Sequence, residues 1–258
     1  MKRAVMVPVL GLSFLMVVGC GSNGNKIGNT ANPPLSSATG TVIADNWQLV
    51  GPLVGPPSGR QIGAALNLTN NTISGLAHIN DGGSCYLIDQ GVPLSGTIDS
   101  QGNVSVTSSS WNSQVLTFTG VLDSARSSIS RGNYAFKGGC ADGESGTLTG
   151  VKFKPVTGSY LGNLSSIAVA ANLKQSPAIT GGFLQVTGTV TYSSPTCSEV
   201  FTITDSELSG QFIRLSLTAK DGTSTLVYGN VDSQASQLDL ADYDGNCGGG
   251  GVGTLFGP

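Results

Sequence analysis

Gln185-Val186-Thr187-Gly188-Thr189-Val190-Thr191-Tyr192 alternates without a break. Val186, Gly188, Val190 and Tyr192 fall on one side, and Gln185, Thr187, Thr189 and Thr191 on the other. A period of two belongs to an extended strand and excludes a helix, whose apolar positions recur every three to four residues. The same pattern runs through Leu116, Phe118, Gly120 and Leu122, set against Thr117, Thr119, Val121 and Asp123. It recurs at Leu94, Gly96 and Ile98, set against Ser95, Thr97 and Asp99. One face for a core and one hydroxylated face for water is the mark of antiparallel sheet. Between these runs stand Asn80-Asp81-Gly82-Gly83, Ser100-Gln101-Gly102-Asn103 and Lys220-Asp221-Gly222, all rich in turn formers.

Composition agrees. Charged residues are 10% of the 258-residue chain, against about 25% in an average domain. With 38 Gly and abundant Ser and Thr, a mainly helical fold is disfavoured, while 39% hydrophobic residues suffice for a core. The net charge is −3 and no basic cluster occurs, so nucleic acid is not an expected partner.

The body reads as two copies of one module. Cys140-x5-Gly146-Thr147-Leu148-x-Gly150 has the spacing of Cys247-x5-Gly253-Thr254-Leu255-x-Gly257. In the same order, Asn67-Leu68 aligns with Asn172-Leu173, and Ile73-Ser74-Gly75 with Ile179-Thr180-Gly181. Leu94-Ser95-Gly96 aligns with Leu208-Ser209-Gly210, and Gly120 to Ser124 with Gly229 to Ser233. The copies are placed at 46–154 and 155–258, each with about seven or eight strands. Glycines inside the strands, such as Gly75, Gly96, Gly120, Gly188 and Gly229, permit tight coiling. The expected fold is all-β: two tandem antiparallel up-and-down modules, each a small barrel or sandwich. One large barrel built from both copies is the alternative.

The N-terminus reads as an address. Lys2 and Arg3 precede an uncharged, mostly apolar run from Ala4 to Val18, too short to span a bilayer as a helix. The run ends Val17-Val18-Gly19-Cys20, which resembles the lipobox of bacterial lipoproteins, although Leu is commoner than Val at the place of Val17. That resemblance implies a signal peptide over 1–19 and a diacylglycerol thioether with further acyl chains, such as palmitate, on Cys20. It also implies surface lipoproteins of the bacterial envelope as the nearest class. Gly21, where Asp would retain the protein, implies outer-membrane sorting in a two-membrane bacterium. Several acyl chains anchor stably where one short chain does not. Residues 20–45, rich in Gly, Asn, Ser, Thr and Pro, read as a flexible tether behind the lipidated cysteine.

Apart from Cys20, four cysteines remain: Cys85, Cys140, Cys197 and Cys247. An even number in an exported chain points to disulfides. The repeat selects Cys85–Cys140 and Cys197–Cys247, each closing a loop worth roughly 4 kcal/mol. Reduced, buried cysteines are the alternative reading. His78, the one histidine, lies on the polar face of its strand with Ser74, where a solvated side chain is the simplest reading. No Gly-x-Ser-x-Gly elbow leads from a strand into a helix.

Carboxylates gather at two turns, Asp142-Gly143-Glu144 and Asp242-Tyr243-Asp244-Gly245-Asn246. The second has part of the spacing of a calcium loop, making Asp242, Asp244 and Asn246 candidate metal ligands, but the downstream acid is replaced by glycines. No cofactor is expected. The functional expectation is a lipid-anchored, extracytoplasmic, non-enzymatic protein that binds a ligand or structures the envelope. Its partners are the membrane through the anchor and a small apolar ligand in a barrel lumen or an envelope component. The alternative is an envelope hydrolase using the turn carboxylates.

Overall fold

The computed structural model describes residues 44–50, 61–79, 91–180, 182–242 and 251–258. The first eight strands are β1 (Asp45–Val50), β2 (Gln61–Thr69), β3 (Thr72–Ile79), β4 (Val92–Ile98), β5 (Asn103–Ser108), β6 (Val115–Leu122), β7 (Ser128–Lys137) and β8 (Ser145–Lys152). They form a closed antiparallel barrel in sequence order, sealed where Trp47 to Val50 of β1 pair with Lys152 to Thr149 of β8. The next eight are β9 (Thr157–Leu164), β10 (Ile167–Thr180), β11 (Phe183–Ser194), β12 (Cys197–Ser209), β13 (Phe212–Ala219), β14 (Ser224–Val231), β15 (Gln237–Asp242) and β16 (Gly251–Phe256). They close a second barrel through β16 and β9. The fold is thus all-β, two tandem up-and-down barrels, and the composite single barrel is excluded by the two separate closures.

Alternation decides which side chains fill each barrel. An eight-stranded barrel is just wide enough for its interior to be packed by side chains. Trp47, Leu49, Leu66, Leu116, Phe118 and Leu148 fill the first, and Tyr160, Leu164, Leu184, Tyr192 and Phe201 fill the second. The outward partners Thr117, Thr119, Thr147, Thr149, Thr187 and Thr189 are exposed. The void left among the apolar side chains of the second lumen is about 10 Å3, the size of one water.

The repeat holds at the level of strands, but three of its alignments shift, among them Asn67-Leu68 with Asn172-Leu173, since Leu173 takes the place of Leu66. Gly146-Thr147-Leu148 and Gly253-Thr254-Leu255 occupy β8 and β16, and the Gly120 and Gly229 segments end β6 and β14. By contrast, Ile73-Ser74-Gly75 opens β3, whereas Ile179 and Thr180 end β10. Leu94-Ser95-Gly96 lies inside β4, whereas Leu208 and Ser209 end β12 and Gly210 enters the turn. The equivalent of the Leu66–Gly75 pair is Leu173–Gly188, each a leucine facing a strand glycine. At Gly188, with φ 141, a Cβ would collide with the carbonyl of Asn172, so the close strand approach requires glycine. A short Gly-rich match carries little register information, and an insertion in the β10–β11 hairpin displaces it.

Candidate functional site

The best-repeated feature outside the strands is a turn. At β6–β7, Asp123 Oδ1 accepts from the Ser127 and Ser128 N–H groups at 2.6 and 3.1 Å, and Oδ2 from the Ser127 hydroxyl at 2.7 Å. At β14–β15, Asp232 Oδ1 accepts from the Ser236 and Gln237 N–H groups at 2.7 and 2.9 Å, and Oδ2 from the Ser236 hydroxyl at 2.8 Å. A residue at positive φ, Arg126 or Ala235, completes each turn. The Ser127 N–H, then its hydroxyl, hold the Asp123 carboxyl down at about 2. At Asp232, burial pushes the carboxyl up, and the Gln237 and Ser236 donors outweigh it, leaving it below the usual range. These carboxylates are therefore fixed acceptors that hold turns.

The acids singled out as catalytic or metal-binding are scattered. Asp142 accepts from the Gly138 N–H at 2.7 Å beside a short 3-10 turn, Gly139–Ala141. Glu144 accepts from the Tyr134 hydroxyl at 3.2 Å. Asp242, in the other barrel, is buried and accepts from the Thr225 hydroxyl at 2.7 Å. Burial, then the Asp242 carboxylate, push the Tyr192 hydroxyl up. Asp244 and Asn246 lie outside the described residues, among which no group of three or more His, Cys, Asp or Glu is placed to hold a metal. Cys140 and Cys197 are each disulfide-bonded, and Cys20, Cys85 and Cys247 lie outside the described residues.

The polar chemistry that sequence reading misses is concentrated where the barrels meet. Asn46 on β1 donates to the Gly210 carbonyl and accepts from the Gly210 N–H, both at 2.7 Å. Gln48 Oε1 accepts from the Gln211 N–H at 2.8 Å. Gly210, at φ 59, leaves no room for a Cβ against Gln48. The β12–β13 turn is thereby seated on β1 and β2. A second contact involves His78, which is buried and not solvated as its strand face suggests. Its ring stacks on Phe183 at 3.6 Å between centroids, and its Nε2 donates to the Gly182 carbonyl at 2.9 Å. The alternation could not reveal this, because outward polar residues look alike whether they meet water or a neighbouring barrel.

Beside this seam lies a groove of about 450 Å3 on the outer face of β1, β8 and β7. Ser233, from the Asp232 turn, forms one wall; its carbonyl accepts from the Lys154 N–H at 2.9 Å. No helix among the described residues is long and apolar enough to cross a membrane. No family model, curated protein or solved structure matches the chain.

Proposed function

We propose that this chain is a lipid-anchored, extracytoplasmic body of two barrels that acts by binding or by structuring the envelope, without catalysis. The sequence around Cys20 carries the reading: a cationic start, a short apolar run and a cysteine after a glycine coincide within twenty residues. The hydroxylated outer faces support a body in water, since lipid-facing strands require an apolar exterior. The burial of His78, the one histidine of the sequence, supports the absence of acid–base work, because a general base near neutral pH is most often an accessible imidazole. An exported setting agrees with disulfides Cys85–Cys140 and Cys197–Cys247.

Intact mass of the membrane-extracted protein tests the anchor. The expected species begins at Cys20 and carries acyl chains, and Cys20→Ser releases the protein or stalls its maturation. An unmodified mature chain beginning elsewhere overturns the reading. Turnover of glycan, peptide or ester substrates that disappears in Asp142→Asn/Glu144→Gln would make the protein a hydrolase instead.

A further inference from the structure

We infer that the groove at the seam is a binding site for a short neutral saccharide. This deepens the binding arm of the proposed function. The cavity, about 450 Å3, lies within the roughly 300–1,000 Å3 typical of small-molecule sites. Its polar lining is Gln48, Ser128, Ser130, Thr149 and Ser233, and its apolar lining is Ile129, Val151 and Phe153.

The lining selects the ligand class by elimination. Among the described residues no charged side chain lines the groove, so an anion or cation would lose its hydration without a counter-charge from them. A wholly apolar ligand would cover four hydroxyls and an amide and leave them without water or partner. An extended peptide gains most of its affinity by adding a strand, and β1 and β8 are already paired with each other along the floor. A hydroxylated neutral ring satisfies both halves of the lining. Its hydroxyls exchange donors and acceptors with Ser128, Ser130, Thr149 and Ser233, and its C–H face lies on Val151, which is 40% exposed.

Gln48 gives the site a fixed element. It is buried, at 5% exposure, and its Oε1 is held by the Gln211 N–H. Its Nε2 makes one long hydrogen bond among the described residues, 3.4 Å to the Leu49 carbonyl. An amide oriented from behind, with donor capacity left over, is pre-organised for a ligand acceptor. The Ser233 wall comes from the second barrel and is hydrogen-bonded to Lys154, next to Phe153 of the other wall, so the groove exists only because the barrels are joined.

The test is titration of the mature protein, in a detergent without a sugar headgroup, with diacetylchitobiose, cellobiose and maltose, followed by saturation-transfer-difference NMR. At least one of these is expected to bind, and Thr149→Trp, which fills the groove from an exposed strand position, should weaken it about tenfold or more. Ser105→Trp, exposed on β5 away from the groove, should leave binding unchanged. No binding by any of the three sugars overturns the inference, as does binding that survives Thr149→Trp. Equal loss in Ser105→Trp overturns it too, by showing that the sugar sits elsewhere. The readout is independent of anchoring, so its failure is distinguishable from a failure of the lipoprotein reading.

Discussion

The β2–β3 and β10–β11 hairpins start from the same element and end in different roles. In both, a leucine faces a strand glycine, Leu66 to Gly75 and Leu173 to Gly188. In the first barrel the chain turns back soon after, through Thr69 and Thr72. In the second, the strands continue past a register shift between Gln175 and Ile179, and the hairpin tip delivers Gly182 and Phe183 to His78 of the first barrel. The shared part of the repeat builds a barrel, and the unshared part joins two barrels. Ala44 and Ala65, from the first barrel's strand region, even belong to the buried cluster of the second.

If the seam makes one cooperative body, damage on one side must be felt on the other. Both tryptophans, Trp47 and Trp111, belong to the first barrel, so their fluorescence reports it alone. Phe201, fully buried in the second, is the most disruptive place to press. Phe201→Ala is expected to cost about 3–5 kcal/mol and to shift the fluorescence-detected urea midpoint together with the circular-dichroism midpoint. An unmoved fluorescence transition would break the comparison and make the barrels independent.

Asn46→Ala removes two hydrogen bonds at once and strands the buried backbone of Gly210, at an expected cost of about 2 kcal/mol. Equilibrium unfolding measures this, and a cost near zero would reduce the seam to ordinary surface. Phe183→Ala removes the stack on His78, worth about 1 kcal/mol. Here amide exchange should quicken at the β10–β11 tip while the lumen strands stay protected. Acceleration spread through the second barrel would instead assign the hairpin tip to its core.

The smallest effect sharpens the likeness of the two barrels. Asp123→Ala should cost under about 1 kcal/mol near neutral pH, after allowing for the screening of an exposed group. The folded carboxyl, at about 2, lies below its ordinary value of 3.8, so its stabilisation is present above about pH 4 and disappears as pH falls through about 2. The wild-type and variant stability curves should therefore converge in acid, measured by urea unfolding at a series of pH values. Asp232→Ala should follow the same sign. A difference that persists below pH 2 would show that the turn depends on something other than the ionised carboxylate.

Strand identity was legible in the sequence because burial on one face of a pleated strand imposes alternation directly on residue types. The duplicated turns were legible too, as Asp-Ser-x-x-Ser at Asp123 and Asp232, although their acids look like plain turn formers until the donors around them are seen. Closure was not legible, since nothing local distinguishes the pairing of β1 with β8 from a free sandwich strand. The seam was the least legible part. Asn46 and Gln48 alternate with Trp47 and Leu49 as solvent-facing residues would, and His78 alternates with Ala77 in the same way. Their burial depends on contacts more than a hundred residues away in the chain, which no local period records.

Asn46 also fixes how the molecule bears load. Any pull transmitted along the chain into Ala44 arrives first at β1, the strand that closes the first barrel against β8 and carries the amide clamp to Gly210. Force enters at the keystone and not at a sacrificial end. Extension should therefore show a single high-force rupture, in which peeling β1 opens one barrel and releases the other in the same event.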